Sequence, residues 1–86
     1  MPSKTVTVGS SVGLHARPAA IIAEAAADLD SDVTLSVDGG DPVDAGSALM
    51  IMTLGAEKGT QVTVEGDDQA AVDQIAALVE KDLDAE

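Results

Sequence analysis

Apolar positions recur along this chain with two different periods. Lys4-Thr5-Val6-Thr7-Val8, Asp32-Val33-Thr34-Leu35-Ser36-Val37 and Thr60-Gln61-Val62-Thr63-Val64-Glu65 alternate polar with apolar residues, the repeat of a strand with one covered face. Asp38-Gly39-Gly40 is a turn signal, and Asp41 to Asp44 predicts a further short strand that Pro42 confines to a sheet edge. The other period is helical. Within Ala16 to Leu29, the residues Pro18, Ile21, Ile22, Ala25 and Leu29 follow i, i+3, i+4, i+7, i+11, with Glu24 and Asp28 off that stripe. Ser47 to Leu54 is a short apolar stretch with a stop at Gly55. Beyond Gly66, Asp67 and Asp68 offer N-cap carboxylates to a last helix carrying Val72, Ile75, Val79 and Leu83 on one face, with Leu78 beside them. Gly9 to Leu14 reads as loop. The elements run β-α-β-β-α-β-α in a single domain over residues 1–86. Half-polar strands predict a sheet wet on one side, and helices gathered on the other side make the fold class α+β.

Composition sharpens this picture by subtraction. Phe, Trp, Tyr and Cys are all absent, so the core must be built from aliphatic side chains. Each fully buried Val, Leu or Ile contributes roughly 1.5–3 kcal/mol. Without Cys there is no disulfide, no thiolate nucleophile and no zinc–thiolate site. One His cannot supply the imidazoles of a usual catalytic zinc site, and neither metal nor cofactor is expected. The lack of aromatics removes stacking platforms for single-stranded nucleic acid, and a net charge of -12 repels phosphate backbones. No apolar run approaches the ~20 residues needed to cross a bilayer, so no membrane association is expected. The first residues lack the basic and apolar regions of a signal peptide, which makes the cytoplasm the expected compartment.

So acidic a chain invites the suspicion of disorder, but 45% hydrophobic residues argue for a packed fold. Four Lys+Arg against 16 Asp+Glu is consistent with a halophile protein, whose self-repulsion is screened when the Debye length falls to ~3 Å at 1 M salt, with an acidic mesophile protein as the alternative.

The acids are unevenly placed. None precedes Glu24, and the first 23 residues carry only Lys4, His15 and Arg17 as titratable side chains. The one electropositive stretch therefore surrounds the start of the first helix. That start also lacks an ordinary cap, because no Ser, Thr, Asp or Asn occurs from Val12 to Arg17. Pro18 is tolerated in a first turn, and the remaining first-turn N–H groups want an acceptor. Unpaired donors and the helix dipole together favour an anion. The only His and the only Arg of the chain fall there. A neutral imidazole is a nucleophile available near pH 7, and His15 is the candidate phosphoryl acceptor. The amides of Ala16 and Arg17, together with the Arg17 guanidinium, are the candidate phosphate partners beside Pro18. Phosphoryl transfer asks for positioning and charge stabilisation, which such a site can supply without a metal.

Gly13-Leu14-His15-Ala16-Arg17-Pro18-Ala19 closely resembles the active-site signature of HPr, the histidine-containing phosphocarrier of the sugar phosphotransferase system. The likeness extends over essentially the whole chain. It implies an open-faced β-sandwich, with a four-stranded antiparallel sheet and three helices on one face. It implies phosphorylation of His15 on Nδ1 by enzyme I, and transfer to a histidine of a sugar-specific enzyme IIA domain. In that resemblance Arg17 matches the phosphate-pairing arginine and Pro18 the first-turn proline. Ser47 aligns with a serine that a serine kinase modifies in some bacteria, although an N-cap role for it is favoured here. Ala20, Glu24, Ala48, Leu49 and Met52 fall near the expected partner-docking surface. Leu49, Met50, Ile51 and Met52 match the apolar docking patch as a group, with about half of them expected to face inward. The acidic surface departs from the basic surroundings common in bacterial relatives, so apolar contact is expected to carry more of the docking than charge steering. Glu86 is a candidate to place carboxylates near Arg17, as chain ends do in some relatives. A monomeric carrier turned over by partner enzymes is the leading expectation. A regulatory paralogue that binds targets according to its phosphorylation state is the alternative. An acyl carrier protein, also small and acidic, is disfavoured because the chain has no Asp-Ser-Leu attachment site and has several alternating strands.

Overall fold

In a computed structural model of the chain, residues 2–9, 13–14, 16–29, 31–37 and 40–81 are described. The expected element order is observed: β1 (Ser3–Thr7), α1 (Ala16–Ala27), β2 (Val33–Val37), β3 (Val43–Asp44), α2 (Ala48–Thr53), β4 (Gln61–Gly66) and α3 (Gln69–Glu80). The four strands form one sheet in the order β1-β4-β2-β3, and every neighbouring pair is antiparallel.

Register turns the sequence alternation into two faces. Val6 stands opposite Val62, Val62 opposite Val37, and Val64 opposite Leu35, so the valines and Leu35 share the covered side. Ser3, Glu65 and Thr34 make one row of the other side, and Thr5, Thr63 and Ser36 the next. On that wet side the Thr5 and Thr63 hydroxyls hydrogen-bond at 3.0 Å. The expected strand ends shift by a residue or two. Val8 has left the ladder of β1 but remains in the core, its N–H donating to the Thr60 carbonyl at 2.9 Å. β3 is shorter than Asp41 to Asp44, and it occupies the edge that Pro42 foretold. The other edge, β1, carries Lys4 at a core-facing register position yet exposed at the rim.

All three helices lie over the apolar side. α3 packs on β1, β4 and β2, while α1 packs against α3 and α2. Val72, Ile75 and Val79 of α3 are buried as expected, joined by Ala71 and Ala76, with Leu78 partly buried. Leu83 lies outside the described residues. Asp68 is the N-cap, its carboxylate accepting the Ala70 N–H at 3.1 Å, which is the cap expected from Asp67-Asp68.

The buried face of α1 differs from the expected stripe. Pro18, Ala19, Ile22, Ala23 and Ala26 are buried, whereas Ile21, Ala25 and Leu29 are only partly so. The reason is steric. A helix packed against two others turns small side chains into the contact, and alanines at 19, 23 and 26 permit a close approach around the one large side chain of this face, Ile22. α2 ends where expected, with Leu54 as C-cap before Gly55. Among the described residues, no helix is long and apolar enough to cross a membrane.

Candidate functional site

α1 begins at Ala16, so the Gly13–Ala19 signature runs across its N-terminus. His15 lies outside the described residues, while the residues on both sides of it are described. Ala16, Arg17 and Pro18 form the first turn, and that turn contains no acid. Ala16 and Arg17 are exposed, and Pro18 is buried. First-turn amides have no acceptor within their own helix, so this end of α1 presents donors and the positive end of the dipole to an anion. The Arg17 guanidinium adds a fixed charge at the same place. Among the described residues, no cluster of His, Cys, Asp or Glu has the makings of a metal site.

The strand-to-helix segment is held from two sides. At its start, the Gly9 N–H donates to the Val79 carbonyl at 3.2 Å, on the last turn of α3. Gly9 lies so close to that helix end that a β-carbon there would fall on the Glu80 carbonyl oxygen and 2.7 Å from its carbon. Just before His15, the Leu14 N–H donates to the Ala56 carbonyl at 2.9 Å, and the Leu14 side chain is buried in the core. The sequence pattern puts Gly9 and Gly13 in a loop and carries no signal for Ala56. The available signal was the pair of glycines in a loop that must pass close to other backbone.

The expected docking residues divide by exposure. On α1, Ala16, Ala20, Glu24 and Ala27 form an exposed strip on the side away from the core. On the neighbouring α2, Leu49 is 70% and Met50 43% exposed, Ile51 is fully buried, and Ala48 and Met52 are partly buried against the core. Half of the four-residue apolar group thus faces water, and Met50 is more open than Met52. Ser47 is the N-cap of α2, its hydroxyl accepting the Met50 N–H at 3.3 Å. Glu86 lies outside the described residues.

Comparison with known proteins agrees with this geometry. Residues 2–81 match the family model described as PTS HPr component phosphorylation site. The chain is 38% identical over 87 residues to the phosphocarrier protein HPr of Streptomyces coelicolor, covering 98% of this chain and 94% of that one. It is 32% identical over 76 residues to the phosphocarrier protein NPr of Klebsiella oxytoca, covering 88% of this chain and 84% of that one. The crystal structure of HPr-C-His from Thermoanaerobacter tengcongensis superposes with a TM-score of 0.87 at 30% identity, covering 100% of this chain and 99% of that one. Signature, fold and near-complete coverage converge on one conclusion: the chain belongs to the HPr family of phosphocarriers of the phosphotransferase system.

Proposed function

We propose that His15 is the phosphoacceptor, charged by a phosphorylated enzyme I and discharged to a histidine of a sugar-specific enzyme IIA domain. The observation that carries this reading is the start of α1, where an acid-free first turn with an exposed Arg17 follows the only His of the chain. Neutral His15 attacks the phosphorus through Nδ1. A new N–P bond forms as the bond from phosphorus to the donor's carrying group breaks, and that group leaves with the electron pair. The amides of Ala16 and Arg17 and the Arg17 guanidinium meet the charge on the phosphoryl oxygens, while Pro18 shapes the turn. Partners rest on Ala20 and Glu24 of α1 and on Ala48, Leu49 and Met52 of α2, beside the exposed Met50. The carrier acts as a cytoplasmic monomer, and Ser47 serves as a cap.

Incubation with phosphoenolpyruvate and an active cognate enzyme I in high salt is expected to add one acid-labile phosphate, read by intact mass. No gain with an enzyme I that demonstrably phosphorylates itself overturns the reading. Arg17→Ala is expected to slow transfer about tenfold with the fold intact, the lower end of what a charge-assisted hydrogen bond of ~1.5–3 kcal/mol contributes. An unchanged transfer rate refutes the role given to Arg17.

The acidic surface supports a salt-adapted carrier. Two carboxylates 10 Å apart in water repel by about 0.4 kcal/mol, and a handful of such pairs reaches about 2 kcal/mol. Molar KCl removes this repulsion, so the melting temperature is expected to rise on the order of 10 °C between dilute buffer and 2 M KCl. A melting curve indifferent to KCl would sink the salt-adapted reading.

A further inference from the structure

We propose that Gly13 is a positioning residue, whose seat on the backbone of Ala56 and Glu57 fixes where the phosphoacceptor segment enters α1. This rests on the reading of His15 as phosphoacceptor. Gly13 has φ +74, a conformation that side-chain-bearing residues rarely adopt. A β-carbon at this position would fall on the Ala56 carbonyl oxygen and 2.8 Å from the Glu57 Cα. That is roughly 1 Å inside the ~3.5–4.0 Å of ordinary carbon contact, and both obstacles are backbone. No side-chain rotation can relieve it. The next residue makes the joint directional, since the Leu14 N–H donates to that same Ala56 carbonyl at 2.9 Å while its side chain is buried. One carbonyl is thus both the floor under residue 13 and the acceptor for residue 14. On the other side of His15 in sequence, α1 is anchored by buried Pro18 and Ala19. The two flanks of the phosphoacceptor are held independently, one by the loop after α2 and one by the helix.

Gly13, Leu14 and Ala56 are buried and belong to neither the exposed strip of α1 nor the exposed residues of α2, so disturbing them is expected to act on alignment more than on docking. A misplacement of about 1 Å can cost on the order of 100-fold in a reaction that depends on alignment. Gly13→Ala is therefore expected to lower kcat for phosphoryl transfer from enzyme I by roughly 10- to 100-fold, with KM for the carrier within about twofold of wild type. Gly59→Ala is the control. Gly59 also has a positive φ, +90, but a β-carbon there meets nothing within 4 Å. It is expected to transfer at the wild-type rate.

Circular dichroism and urea unfolding report whether each variant folds. A folded Gly13→Ala with wild-type kcat overturns the proposal. So does a Gly59→Ala that slows transfer equally, because the effect is then generic backbone strain. If Gly13→Ala does not fold, an ester replacing the amide between residues 13 and 14 decides. It replaces the Leu14 N–H donor by an oxygen while leaving both side chains unchanged, and a kcat about tenfold lower supports the proposal, while an unchanged kcat overturns it. A wild-type chain that takes no phosphate overturns the reading of His15 and this proposal together. A wild type that works beside unaffected variants overturns this proposal alone.

Discussion

His15→Ala is expected to take no phosphate at all, from enzyme I or from a small donor such as phosphoramidate. The chain has one His and no Cys, so no second imidazole and no thiol can substitute as a nitrogen or sulfur acceptor. The substitution leaves every residue of the buried face of α1, which begins at Pro18, unchanged. Far-ultraviolet dichroism of the variant should match the wild type. The two donors separate two failures. A wild type modified by phosphoramidate but not by enzyme I has a competent imidazole and a mismatched partner. A His15→Ala chain that still gains acid-labile phosphate from either donor would show that another group is the acceptor.

The other large effect is expected on stability. Gly9→Ala should cost about 3 kcal/mol, the upper part of the range for overpacking a tight contact. The added carbon meets the carbonyl group of Glu80, and the Gly9 N–H is already bonded to Val79 one residue earlier. Both partners are main chain at the end of a helix, so relief requires moving α3 away from β1. For a domain of this size the loss corresponds to a fall in melting temperature of roughly 12–24 °C. Urea unfolding of the two proteins in the same high-salt buffer reads it. A midpoint unchanged by the substitution would mean that the chain slides past α3 at no cost.

What was legible in the sequence follows the range over which each signal acts. The alternation in β2 and β4 and the capping carboxylate of Asp68 are local, and they are found where they were expected. Gly13–Ala19 is also local, and it carried the family. The buried face of α1 was not legible in the same way. In Ala-Arg-Pro-Ala-Ala-Ile-Ile-Ala-Glu-Ala-Ala-Ala the alanines fit either face, so the larger Ile21 biased the stripe toward itself. Close packing against α2 and α3 then selected the alanine side, a tertiary preference that period counting does not contain. The strand order β1-β4-β2-β3 depends on which edges meet, and three similar alternating segments with one short edge piece do not encode that individually. The seats of Gly9 on α3 and of Gly13 on Ala56 join residues far apart in sequence, so loop glycines announced only that something had to come close.

The margins of the sheet bear on how the carrier behaves at high concentration. One rim is a two-residue rung beside Pro42, and the other is a five-residue strand that carries the exposed Lys4. Neither offers a long, flat, greasy template on which another copy can zip its main chain. Blunted margins of this kind disfavour edge-to-edge pairing of one phosphocarrier with another copy of itself, the first step toward a fibril.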